Sequence, residues 1–562
     1  MNLTRLVRDW VRTWIPLPDL LPDKLPAYVR SPAYYFGILS VSSLVLLVLS
    51  GFTLAFFGPQ WWHVNDVGHF VNSVHFWSTQ AFFFGLAAHL WTEFCKGAWR
   101  HGRRLTWMLG VLSFFVAIGT AFTGYLSQTN FDSQWIAVNG KDAMNAVGIG
   151  SFFNLMDFGQ MYGLHVVLLP LAVVALVGLH LLLVRIRGVV RPYAATTEDE
   201  LAEEQRWGGT VGPGWSPLTA WLSQRRPCHY ARPLASDQEA YYCDLCEQPY
   251  DLIGEGVIAL TIVAALALLL AGVLSSPDEP PITIQQYAQQ SPVQFLREEM
   301  DNLRGTSYVA TYGPPYNDGT AQVQYLGPFS PQLFMGITIP IDAAEVYVLR
   351  PLSELAKTDP EVAAALRQFN QASGSQQEAW MQAYADALPQ ATVSNGEVVL
   401  PTVEAGPLPV LMGSLLAMGQ SGALEGLLLQ TRGFYQADFT RPLLFLDSQA
   451  LPAKAEQLKM LDTQWGVMNE TGNYPGQPWL WLYTLWYQIP PYNTSPNADI
   501  LVWVTMAILS GALLFYPYIP YLNRLPYYLG IHRLIWREYY QDRDRLQARQ
   551  GQEGGQTRSS AL

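Results

Sequence analysis

Four histidines set the terms for this chain. His75, His89, His165 and His180 lie in two apolar segments, 14 residues apart in the first pair and 15 in the second. At 1.5 Å per residue either separation is ~21 to 23 Å of helix, so each pair places one imidazole near each surface of a bilayer. At about 100° per residue, a step of 14 turns the side chain by roughly −40° and a step of 15 by roughly +60°, which keeps both members of a pair on one helix face. One helix can then offer a ligand to each of two haems while the other supplies the partners. The chain has only nine histidines, and an imidazole inside a membrane is costly. Two matched pairs therefore read as two stacked bis-histidine haems rather than as four unrelated hydrogen-bond partners.

Composition supports the membrane setting. Half of the 562 residues are hydrophobic, 13% are aromatic and only 14% are charged, which excludes an ordinary soluble enzyme. Six spans are predicted, at Tyr34 to Phe57, Phe70 to Phe94, Leu105 to Leu126, Gly163 to Val184, Gly254 to Leu274 and Ile500 to Tyr518. Leu408 to Leu429 is a rival, but Gln420, Ser421, Glu425 and its glycines fit a helix buried in a soluble domain. Lys96, Arg100, Arg103 and Arg104 follow the second span, and Arg185, Arg187 and Arg191 follow the fourth, which makes that side cytoplasmic. The stretch Leu3 to Trp14 mixes arginines with Leu6, Trp10, Val11 and Trp14 and reads as an interfacial amphipathic helix.

The expected architecture is an all-α membrane protein. Residues 1–30 form the interfacial N-terminus, 31–191 a four-helix di-haem core, 192–253 a cytoplasmic connector, and 254–275 the fifth span. An external acidic domain of mixed α/β type covers 276–497, followed by the sixth span at 498–520 and a cytoplasmic tail at 521–562. Both termini are placed in the cytoplasm of a prokaryotic cell. Between Asp278 and Glu470 there are 21 acidic and 9 basic residues, an imbalance equal to the net charge of −12 of the whole chain. That surface suits either a basic redox partner or plain solvation. Strand-like runs at Ala321 to Leu326 and Ala344 to Leu349 and helix-like runs at Pro360 to Ala372 and Gln376 to Ala387 give the mixed assignment. No histidine occurs from Tyr230 to Ile531 and no cysteine from Glu247 onward, so this domain lacks the ligands for haem c, an iron-sulfur cluster or histidine-bound copper. In the connector, Cys228, His229, Cys243 and Cys246 can supply four ligands to zinc, with reduced thiols of no metal role as the alternative.

Gly37 and Gly51 on the first span, and Gly110 and Gly124 on the third, are again 14 apart. A flat macrocycle needs close approach at the depth of each ligand, which a glycine allows. With LTWMLG at Leu105 to Gly110, FTGY at Phe122 to Tyr125, Leu164 to Pro170, His180 and VRIRG at Val184 to Gly188, residues 30 to 195 resemble the cytochrome b family of quinol-oxidising bc-type complexes. They are most like the split photosynthetic and menaquinol-using types. The resemblance implies two b haems, an outer one on His75 with His165 and an inner one on His89 with His180. It also implies a quinone site near each membrane face, with Arg185 and Arg187 by the inner one, unless these arginines serve only as positive-inside anchors. A homodimer, a Rieske-type or other exported redox subunit, and a cytochrome c are the implied partners; nothing points to nucleic acid.

The chain departs from this family in several places. Tyr35 stands where photosynthetic relatives carry a cysteine for an extra covalent haem, so none is expected. The family's Pro-Glu-Trp-Tyr motif at the outer quinol site aligns best with Trp479 to Gln488, where Trp481 matches and Leu480 replaces the glutamate. Leucine accepts no proton. Ser127 to Phe131 replaces a Leu-Pro-Trp element, and Asn72 an arginine. Three functions stay open: a bc-type subunit joining a quinone pool to an external partner, the haem anchor of an exported oxidoreductase such as a molybdoenzyme, and, remotely, a scaffold or transporter without haem.

Overall fold

The computed structural model describes residues 3–12, 24–193, 247–319, 323–336, 339–432, 435–461 and 477–541. The chain divides into two compact units, one of residues 1–119, 168–276 and 508–562, the other of 120–167 and 277–507.

The first unit is built on long apolar helices. Tyr35–Phe57 packs on Asp66–Cys95, and Leu252–Leu274 packs on both. Serines reconcile these helices with an apolar setting by bonding back along their own backbone: the hydroxyls of Ser40, Ser43 and Ser50 donate to the carbonyls of Phe36, Leu39 and Leu46. Small residues also let the helices approach, since a Cβ at Gly85 would lie 2.8 Å from the Ser40 hydroxyl. Asn65 caps Asp66–Cys95 by accepting from the amides of Val67 and Gly68. Asp251 caps Leu252–Leu274 through Gly254 and also accepts from the amides of Leu3 and Thr4, which ties down the N-terminal helix Leu3–Arg12.

Among the described residues, four helices are long and apolar enough to cross a membrane: Pro32–Phe57, Arg104–Leu126, Phe158–Arg185 and Leu252–Leu274. The other two predicted spans are helices of different character. Asp66–Cys95 has 30 residues but carries Asn72, His75, Gln80 and His89, which lower its apolarity, and Ala498–Leu514 has 17 residues. The basic loop after Cys95 is folded inward rather than solvated. Lys96, Arg100 and Arg103 are buried, and the two arginines donate to the carbonyls of Arg187, Gly188, Val189 and Arg191. Cations at a helix C-terminus satisfy its orphan carbonyls and its dipole.

The second unit is helical, which corrects the mixed α/β assignment. Its strands amount to two short antiparallel ladders, Thr392–Ser394 with Glu397–Val399 and Gln430–Arg432 with Tyr435–Asp438, among the described residues. The run Ala344–Leu349 is a π-helical turn leading into Arg350–Leu355. Its neighbours Tyr347 and Val348 are both fully buried, whereas a strand with one wet face would bury only one of them. Six alternating residues do not separate the two periods. The run Ala321–Leu326 begins outside the described residues, and Leu326 makes a single bridge to Phe329.

Pro360–Gln371 and Gly374–Ala387 form as the pattern predicts, each N-capped, by Asp359 and Ser373. Leu408–Ser421 is a buried helix whose Leu408, Leu411, Met412 and Leu415 share one core with Phe295, Phe445 and Tyr347. The helix Phe131–Ala146, from the connection after the third span, joins the same core through Phe131, Ile136 and Val138. Lys141 on that helix is buried and pairs with Asp447 at 2.9 Å.

Candidate functional site

His89, on Asp66–Cys95, and His180, on Leu169–Arg187, meet inside the first unit with ring centres 6.5 Å apart and planes at 87°. A metal ion bound at about 2.0–2.1 Å by two imidazoles, with each ring centre ~1.1 Å beyond its nitrogen, holds the centres roughly 6.3 Å apart. The observed separation fits an iron ion shared by both rings.

The surroundings fix the imidazoles. Nδ1 of His180 lies 3.0 Å from the Thr106 carbonyl, and Nδ1 of His165 lies 2.8 Å from the Thr120 carbonyl. A carbonyl only accepts, so both rings carry their proton on Nδ1 and the lone pair on Nε2. His75 Nδ1 is 2.9 Å from the Ser50 hydroxyl, whose own proton goes to Leu46, so it too donates from Nδ1. Such outer partners orient a ligand ring and raise its basicity. His89 differs: its Nδ1 is buried without a hydrogen bond, 3.8 Å from Glu93, which is held at 2.5 Å by Lys96. The Lys96 ammonium stacks 3.8 Å over Tyr34, whose hydroxyl donates to Val190 and accepts from Trp536.

Each of the four predicted glycines lies against one histidine. A Cβ on Gly37 would stand 3.3 Å from His89 Cε1, one on Gly51 3.0 Å from His75, and one on Gly110 3.0 Å from His180. At Gly124 the overlap with His165 is closer still. His165 itself is the second residue of a π-helical turn, Leu164–Leu168, between Phe158–Gly163 and Leu169–Arg187.

The other predicted positions are more scattered. Arg187 is exposed and Arg185 half-buried, and the Arg187 carbonyl receives Arg103. Trp481 is exposed on the short helix Trp481–Trp486, while Leu480 is buried in the core of the second unit. Cys228, His229, Cys243 and Cys246 lie outside the described residues. Ser50 and Glu93 are not singled out by the sequence, and Lys96 is legible there only as a basic residue of the loop, not as the partner of Glu93. Glu93 follows His89 by one helical turn, a spacing that could have flagged it; Ser50 shows its role only across a helix pair.

A membrane-spanning helical protein with two histidine rings brought together between its helices is the class these features define. Residues 80–212 match the family described as cytochrome b(N-terminal)/b6/petB. The chain is similar to cytochrome b6 of Heliobacterium modesticaldum, 26% identical over 196 residues, 31% of this chain and 92% of that one. It is also similar to the menaquinol:cytochrome c reductase cytochrome b subunit of Bacillus subtilis, 27% identical over 220 residues, 33% of this chain and 98% of that one. A cytochrome bc complex cytochrome b subunit of Chlorobaculum thiosulfatiphilum is 28% identical over 219 residues, 33% of this chain and 50% of its own. Among solved structures, a chain of a hyperthermophilic respiratory complex III covers 74% of this chain at 15% identity, with a TM-score of 0.34. Over about a third of its length the chain is similar to cytochrome b-type membrane proteins, and its apolar helices make it an integral membrane protein.

Proposed function

We propose that the chain is the cytochrome b subunit of a bc-type quinol oxidoreductase complex and moves electrons across the membrane between a quinone pool and an external partner. The observation that carries this reading is the separation of the His89 and His180 rings, 6.5 Å, with Gly37 and Gly110 against them. These two residues hold the inner of two b haems. His75 and His165, each set against its own glycine, are assigned to the outer haem on their sequence spacing. Haem iron supplies reversible one-electron exchange. The chain's part is to fix ring orientation through Ser50 and the Thr106 and Thr120 carbonyls and to keep the sites free of side chains. Quinone sites by Arg185 and Arg187 and by Trp481, a Rieske-type subunit with a cytochrome c, a homodimer, and an external position for 276–497 with both termini cytoplasmic belong to the same proposal. So does a zinc ion on Cys228, His229, Cys243 and Cys246, which metal analysis of the purified chain tests.

One observation favours a second reading, the haem anchor of an exported oxidoreductase. Leu480, at the position of the family's glutamate, is apolar and buried, so it offers neither a base nor a surface to a quinol. A redox titration of the complex purified with its own partners separates the two. Reduction of both haems by quinol that stops with an outer-site inhibitor supports the bc-type reading, and reduction indifferent to it supports the anchor. Substituting His89→Ala or His180→Ala is expected to remove one haem spectrum and spare the other; equal loss of both from one change would overturn the ligand assignment.

A further inference from the structure

From Gly319 to Ile341 the sequence runs 23 residues without a charge. On the second unit, whose surface is otherwise acidic, the described part of this run presents Leu326, Phe329, Leu333, Phe334, Met335 and Ile339 outward. All six are at least 40% exposed, and Phe334 is 75% exposed. Isolated exposed apolar residues are ordinary, but a contiguous group on a charge-free loop marks a surface that is covered in use.

Local contacts shape this face. Leu326 and Phe329 pair across a tight turn with Gly327 at φ 62°, Ser330 caps the helical turn Pro331–Phe334, and the Phe329 and Phe334 rings pack 5.5 Å apart. Its two ends are fastened next to apolar helices. The Gln324 amide donates to Asp499 at 2.7 Å and accepts from the Ile500 amide at 3.1 Å, and the Tyr325 amide donates to Asn497 at 2.8 Å. Asn497 immediately precedes Ala498–Leu514 and Asp499 and Ile500 lie in its first turn, where Gln324 supplies the acceptor that a helix N-terminus lacks. Asp499 also accepts from Tyr487, at the end of a stretch holding Trp479, Trp481, Tyr483 and Trp486. Tyrosine and tryptophan gather at the depth where a chain enters the membrane. On the other side Pro331 and Met335 close on Gly148, ten residues before the 28-residue apolar helix Phe158–Arg185 begins.

We infer that residues 323–336 with Ile339 form a membrane-dipping loop, which buries Phe329, Leu333 and Phe334 in the headgroup and acyl boundary of the leaflet that Ala498–Leu514 enters. This rests on the proposed reading of Ala498–Leu514 as the sixth span. A bilayer is the occupant that fits: the six exposed side chains are apolar, the run that carries them has no charge, and it is tied by hydrogen bonds to the end of an apolar helix. An uncharged loop also needs no anionic lipid, so its insertion is insensitive to salt.

The full chain in its complex, reconstituted into phosphatidylcholine vesicles, tests this by nitroxide labelling at Phe334→Cys and, independently, Leu333→Cys. Wild-type protein labelled in parallel gives the background of the native cysteines, and the haem absorption of each variant confirms its fold. Ile508→Cys on the apolar helix and Lys357→Cys on the wet surface set the two limits. Labels at 333 and 334 are expected to match Ile508, with collisions by dissolved oxygen several-fold above those by a water-soluble nickel chelate. Labels that follow Lys357 while Ile508 remains in lipid would overturn the loop inference alone, as would labels shielded from both reagents, the mark of a partner subunit or second copy. An Ile508 label that reads as aqueous would instead remove the sixth span itself, and the inference with it.

Discussion

A single methyl group discriminates among the glycines. In a helix, Gly→Ala ordinarily gains about 1 kcal/mol, but opposite these histidines the new Cβ meets an imidazole, and overpacking costs about 1–3 kcal/mol. The overlap ranks the positions: closest at Gly124 with His165, 3.0 Å at Gly51 and Gly110, and 3.3 Å at Gly37. Haem per chain, measured by absorbance, is therefore expected to fall most for Gly124→Ala and least for Gly37→Ala. Gly178→Ala, where a Cβ meets nothing within 4 Å, is expected to leave it unchanged. A uniform effect across all five would show that the glycines serve helix packing in general. At this scale the sequence was informative because ligand and glycine share one spacing along different helices. It was silent on Ser50, whose role depends on which side chain faces which across a helix pair, a relation that no one-dimensional period encodes.

Helices explain why one histidine pair is 14 apart and the other 15. A regular helix would turn the second pair about 100° further than the first. The π turn Leu164–Leu168 takes up the additional residue, because an i→i+5 turn contains one residue more than an α turn. Fifteen residues there are thus equivalent to fourteen, and the +60° estimated for a regular helix does not apply. The cause is local: Pro170, two residues beyond the turn, has no N–H to donate and its ring displaces the preceding carbonyl. The π turn Ala344–Leu349 likewise ends two residues before Pro351. Proline signals a broken helix in the sequence but not the way the break is repaired, and this is also why Ala344–Leu349 passed for a strand. Deleting Val167 together with Pro170→Ala is expected to give a straight helix that keeps both haems. Inserting one alanine after Val174 turns His180 by about 100° and is expected to cost the inner haem. If the deletion proves the more damaging of the two in haem spectra, the π turn does not take up the extra residue.

On the scale of the molecule, the helical second unit contains a buried acidic pair that makes its stability depend on pH. Glu298 and Glu299 on Pro292–Arg304 are 6% and 0% exposed, and each has a carboxyl oxygen without a hydrogen-bond partner. Burial pushes Glu298 up to about 7 against a hydrogen bond from Ser448, with Asp301 adding to the rise. Burial raises Glu299 well above the usual carboxylate range, against its bond from Asn302 and with Glu298 adding to the rise. The groups around them are Tyr287 and Tyr347, with Arg297 and Arg441 beyond the tyrosines. In the unfolded chain both acids release their protons near pH 4.5. Between that pH and about 7 the folded state therefore binds more protons than the unfolded one, and stability falls as pH rises. The Glu298 shift alone corresponds to about 3 kcal/mol, lost by the time pH passes its folded value, and Glu299 carries the loss further upward. Hydrogen exchange on Pro292–Arg304 in the intact chain, corrected for intrinsic rates, is expected to show stronger protection at pH 5 than at pH 8. Glu298→Gln, which keeps the shape and removes the charge, is expected to flatten that dependence and raise protection at pH 8; protection that instead rises with pH would mean that the pair is ionised and satisfied in the folded domain.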